Sequence, residues 1–91
     1  MVMNKYKLLC SKTACKDREK LKNAGLYNLS KRILELMQEN PFCYPPPYEK
    51  LVGDLSGFYS RRINRQHRIV YKVDEKTKTI YVYRMWTHYE K

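Results

Sequence analysis

The sequence predicts a small α+β domain of order β-α-α-β-β-β. An antiparallel sheet that includes an N-terminal strand packs on one face against a two-helix hairpin and leaves its other face open. Three observations carry this prediction. Between about residues 13 and 37 apolar side chains recur at three- and four-residue spacings, with Gly25 dividing the run. Between residues 59 and 85 apolar and polar side chains alternate instead, broken by two polar turns. The chain has 91 residues, 43% of them hydrophobic, with only 3 Gly and 4 Pro, which suits one compact unit over residues 1–91.

Tyr6 to Cys10 reads as a short apolar strand ended by Ser11. Thr13 to Ala24 is rich in helix formers, and Gly25 stands where a helix-terminating glycine belongs. Its apolar stripe is narrow (Ala14, Leu21, Ala24), and Lys12, Lys16, Arg18, Lys20 and Lys22 make the remainder basic. Leu26, Leu29, Ile33, Leu34 and Met37 mark a second helix, stopped by Pro41. The stretch PFCYPPPYEKLVGDLSG follows, in which four prolines forbid helix and predict an extended connector across one face. Three strands come next: Tyr59 to Asn64, His67 to Asp74, and Thr79 to Met85, turned at Arg65-Gln66 and at residues 75–78. In the middle strand Ile69, Tyr71 and Val73 form the apolar side, and Arg68 belongs to the other.

Charge narrows the function classes. Against 9 Asp+Glu stand 19 Lys+Arg, a net +10 that favours polyanionic partners. No run approaches the ~18 apolar residues of a membrane span. The basic helix lacks Trp or Phe on its apolar side, which argues against a membrane surface. The opening MVMNKYKLLC has no apolar secretory region, and Cys10, Cys15 and Cys43 form no metal-binding pair, so free thiols in the cytoplasm are expected. No metal or cofactor is implied. Arg61, Arg62, Arg65, Arg68 and Arg84 interleave with Tyr59, Tyr71, Tyr81, Tyr83, Trp86 and Tyr89. Guanidinium groups take phosphate in bidentate fashion and aromatic faces stack on unpaired bases, the makings of a single-stranded RNA surface.

The block LSGFYSRRINRQHRIVY (residues 55–71), with PPPYEKL before it and R-x-W-T-H-Y near the end, resembles the Txe/YoeB branch of the RelE-type toxins. The likeness runs from Tyr6 to Glu90. It implies a ribosome-dependent, metal-independent messenger-RNA endoribonuclease of a type II toxin–antitoxin system. It also implies a cognate antitoxin of YefM/Phd type, with an acidic segment to cover the basic surface, and relatives that are often dimeric. Carried over by position, the catalytic set is Glu49, Arg68, His88 and Tyr89. Lys50, Arg61, Arg62, Arg65 and Arg84 are the expected RNA or phosphate contacts, although Arg61 or Arg62 can equally serve a salt bridge at the sheet edge. His67 reads as structural.

The chemistry is consistent with that set. RNA carries its own nucleophile, so a nuclease needs a base for the 2′-hydroxyl, an acid for the leaving 5′ oxygen, and positive charge on the phosphorane. Glu49 is assigned as base, His88 as acid and Arg68 as phosphate clamp, the two proton-transfer roles being exchangeable. Tyr89 orients the phosphate or base, or assists proton transfer. The rival reading keeps the surface without the chemistry: an RNA- or ribosome-binding module that obstructs translation.

Overall fold

The structure, a computed structural model, describes residues 5–44 and 47–86. Its elements are β1 (Lys7–Cys10), α1 (Lys12–Asn23), α2 (Tyr27–Glu39), β2 (Tyr48–Lys50), a 3-10 turn (Gly53–Leu55), β3 (Tyr59–Arg62), β4 (Arg68–Asp74) and β5 (Thr79–Arg84). The five strands form one sheet in the order β1-β5-β4-β3-β2. The α+β class and the helical hairpin are as expected, but the strand pairing differs in two respects.

The connector contains a strand. Beyond Pro47 the residues Tyr48, Glu49 and Lys50 all have backbone N–H groups, and they pair antiparallel with Arg61, Ser60 and Tyr59. A proline just before a short edge strand is a position the ladder tolerates. The sheet is also mixed, because β1 runs parallel to β5 with Lys7 opposite Thr79 and Cys10 opposite Val82. No tight turn joins β1 to β5, so hairpin geometry does not set their relative direction.

Local chemistry explains the helix ends. Ser11 caps α1: its Oγ accepts from Ala14 N at 2.9 Å and donates to the Tyr83 carbonyl at 2.7 Å. At the other end Gly25 takes φ +75°, while Leu26 N–H reaches the Leu21 carbonyl at 2.8 Å and Gly25 N–H the Lys22 carbonyl at 3.1 Å. That pair of bonds closes α1 and starts α2 at once. The buried seam of α2 is Ser30, Ile33, Leu34 and Met37, whereas Leu29 and Leu36 stay exposed. Its apolar periodicity is therefore wider than the face it buries.

Both helices lie on the side of the sheet that carries Ile69, Tyr71, Ile80 and Val82, and with Ala14, Leu21 and Met37 these make the core. Each fully buried aliphatic side chain contributes roughly 1.5–3 kcal/mol. In the β3–β4 turn Asn64 Oδ1 accepts from Gln66 N and His67 N, both at 2.8 Å, and ends β3 at Arg62, two residues earlier than the alternation suggested. No helix among the described residues is long and apolar enough to cross a membrane.

Candidate active site

Register decides which side chains meet on the open face. Glu49 on β2 stands opposite Ser60 on β3, Ser60 opposite Val70 on β4, and Arg62 opposite Arg68. Alternate residues of a strand share a face, so Glu49, Ser60, Arg62 and Arg68 all come to the side away from the helices. There they and Pro47 line a cavity of about 350 Å³. Arg68 Nη1 lies 3.4 Å from Glu49 Oε1 and donates to Ser60 Oγ, also at 3.4 Å. The Arg68 side chain is only 16% exposed, against 63% for Glu49. A well-packed guanidinium thus faces a solvated carboxylate. With its carboxylate largely in solvent, a pair of this kind is worth about 0–1 kcal/mol, so stability does not account for it.

The other expected contacts divide. Arg65 sits exposed in the β3–β4 turn, and Lys50, paired with Tyr59, is exposed on the face of β2 away from Glu49. Arg61 does not reach the surface, and its expected role as a phosphate contact is corrected. It is 0% exposed, with Nε donating to Tyr71 Oη at 3.2 Å and Nη2 to the carbonyls of Pro41 and Cys43 at 2.8 and 2.9 Å. Strand alternation places it opposite Ile69, on the core side. Arg84 is half-exposed, and its Nε donates to Asp17 Oδ2 at 3.0 Å. Tyr59 and Tyr71 stack on the core side with ring centroids 5.7 Å apart. Of the six aromatics expected to interleave with arginine, Tyr81 and Tyr83 are the ones seen on the open face. They line a larger hollow of about 950 Å³ with Leu9, Phe58 and Lys72.

His88 and Tyr89 lie outside the described residues. The chain leading to them is firmly held as far as Trp86. Asp17, 1% exposed on α1, accepts from Met85 N at 2.9 Å and Trp86 N at 3.3 Å in addition to Arg84. His67 stacks on Trp86 at 3.9 Å, and its Nδ1 donates to the Trp86 carbonyl at 2.6 Å. The structural role expected for His67 is therefore visible. Asp17 was missed at the level of sequence, although a signal existed: it occupies the apolar stripe of a lysine-rich helix, between Ala14 and Leu21. Removing its carboxylate in Asp17→Ala leaves the buried Met85 N–H unpaired and is expected to cost ~1–3 kcal/mol. Thermal melting should show this as a drop of about 4–8 °C per kcal/mol.

Comparison with known proteins decides the family. The sequence model of the YoeB-like toxin of bacterial type II toxin–antitoxin systems matches residues 12–89. The chain belongs to that family. Toxin YoeB of Mycobacterium bovis is 39% identical over 49 residues, which are 54% of this chain and 58% of that one, so the match spans less than two thirds of the relative. The fold of the YoeB/ParE toxin from Agrobacterium tumefaciens superposes with a TM-score of 0.82 at 28% identity, covering 91% of this chain and 99% of that one. A chain of the YoeB–YefM complex from Staphylococcus aureus gives 0.78 at 30% identity, covering 92% and 98%. In this YoeB-like toxin the expected glutamate and the arginine of HR-x-VY therefore meet across three strands, and Ser60 joins them from the strand between.

Proposed function

We propose that this YoeB-like toxin is a ribosome-dependent endoribonuclease that cuts messenger RNA in the decoding site. The observation that carries this reading is the Glu49–Arg68 pair at 3.4 Å in a cavity on the open face of a basic sheet. Glu49 takes the proton of the 2′-hydroxyl as its oxygen attacks the neighbouring phosphorus. Arg68, with Arg62 beside it, neutralises the charge that builds on the phosphoryl oxygens. The P–O5′ bond breaks, His88 gives the departing oxygen a proton, and Tyr89 orients the phosphate. The products are a 2′,3′-cyclic phosphate and a 5′-hydroxyl. Side chains supply every proton transfer and all the stabilising charge, so the reading calls on no metal or cofactor. Arg65 and Lys50 add phosphate contacts, and Arg84 does so with its exposed edge.

The ribosome contributes what the cavity does not, a codon held with its 2′-oxygen in line with the leaving group. The net +10 suits both that polyanion and a cytoplasmic antitoxin of YefM type, whose acidic segment folds onto the open face. Primer extension on a translating ribosome is expected to show cuts within the codon in the decoding site, whereas the same message free in solution is cut at least ~10³-fold more slowly. Blocked translation with intact messages points instead to a binder without chemistry. Equal cutting of free and ribosome-bound RNA contradicts the ribosome dependence.

A further inference from the structure

We propose that Arg61 is a positioning residue for this cleavage: it holds both ends of the proline connector and so keeps Glu49 facing Arg68. The inference rests on the endonuclease reading above.

The connector from Pro41 to Pro47 has a chemical imbalance. Each of Pro41, Pro45, Pro46 and Pro47 offers a carbonyl but no N–H, so the segment has more acceptors than donors of its own. A guanidinium carries five N–H donors in a rigid fork, which answers that need better than any other side chain. Arg61 spends Nη2 on the carbonyls of Pro41 and Cys43, where the connector leaves α2. The same guanidinium lies 5.0 Å from the ring centroid of Tyr48, where the connector enters β2. Tyr71 completes the knot: its hydroxyl receives the Nε bond and donates to the Pro41 carbonyl at 3.2 Å. Burial, the dominant effect, pushes the Tyr71 phenol up to about 12 despite the nearby Arg61, so it remains a hydroxyl donor at neutral pH.

The need for such a knot follows from β2. It has three residues and lies at the sheet edge, paired on one side by β3. A slip of one residue turns every side chain to the opposite face, and short edge strands resist slippage weakly. Glu49 would then leave the cavity and Lys50 would replace it. Arg61 sits in β3 directly opposite Tyr48, one pair away from Glu49 and Ser60, and fixes that register from the core side.

The test compares Arg61→Met and Tyr71→Phe with the parent, each also in a Glu49→Gln background, by single-turnover cleavage on programmed ribosomes. Ribosome affinity and melting temperature are measured alongside, and rates are read where every variant is fully folded. Arg61→Met is expected to slow cleavage by ~10²-fold, as a misplaced reacting group does, with ribosome affinity changed less than ~3-fold. In the Glu49→Gln background the same substitution should cost less than ~3-fold more, because the two act through one group. Tyr71→Phe keeps the ring and its packing and is expected to show the same pattern at about a tenfold loss; it decides the matter if Arg61→Met does not fold. Equal losses in both backgrounds, or a lowered melting temperature with an unchanged rate, overturn the proposal. So does a loss of ribosome affinity that accounts for the whole rate effect. A Glu49→Gln protein as active as the parent removes Glu49 as the base and overturns the proposal with it. A parent that leaves the codon intact on the ribosome overturns the endonuclease reading itself, independently of anything Arg61 does.

Discussion

Arg68→Ala is expected to slow codon cleavage by ~10²–10³-fold, the usual loss when one preorganised group that stabilises transition-state charge is removed. The structure explains why the loss should fall on the rate rather than on the fold. Arg68 lies at the start of β4 on the open face, outside the core cluster, and its partner Glu49 is mostly solvated. Losing an ion pair of that kind costs about 0–1 kcal/mol. Alanine keeps the backbone bonds of the strand, so the melting temperature should hold within a few degrees. Arg68→Lys should recover only part of the rate, since an ammonium cannot span two phosphoryl oxygens as a planar fork does. Single-turnover primer extension with a parallel melting curve tests all of this. A rate within about threefold of the parent would leave Arg68 with no place in the chemistry.

Glu49→Gln should lower the same rate by ~10²–10⁴-fold, the range a placed general base supplies. The substitution is nearly isosteric and keeps an oxygen that can accept from Arg68, so the cavity retains its shape while the proton acceptor is lost. Ribosome affinity should not fall, and removal of a negative charge from the surface of a chain with net charge +10 favours a slight rise. Both quantities come from one titration of programmed ribosomes followed by a cleavage time course. Tighter binding with undiminished cutting would assign Glu49 to electrostatics alone and move the base elsewhere.

The fold was legible where a local pattern and the tertiary structure demanded the same thing. The alternation of Ile69, Tyr71 and Val73 was enough to put Arg68 on the open face, and Gly25 marked the joint between the helices. The parallel pairing of β1 with β5 was not legible, because it joins residues some seventy positions apart without a turn to announce it. β2 was hidden by its prolines, whose effect ends one residue before the strand begins. Glu49 was found through the resemblance; by itself a glutamate after a proline run looks like a solvated loop residue. Arg61 and Arg62 are adjacent and chemically identical, and only strand alternation separates the buried one from the one on the open face. The sequence reading offered both as phosphate contacts and left open that one of them serves a salt bridge at the sheet edge. Asp17 shows the converse, an acid whose place on an apolar stripe was visible but whose partners at Arg84, Met85 and Trp86 lie far along the chain.

The seating of β5 between β1 and β4 governs when the molecule can assemble. β1 finds its hydrogen-bonding neighbour only in residues 79–82, and Ser11, which caps α1, also bonds to the Tyr83 carbonyl. A nascent chain that has exposed only its first seventy residues therefore holds two helices with half their floor missing, and loop-closure entropy keeps such distant pairings late. The sheet therefore closes late in synthesis, and on the proposed reading that delay gives an inhibitor made alongside the chain time to be waiting before the cleavage site is whole.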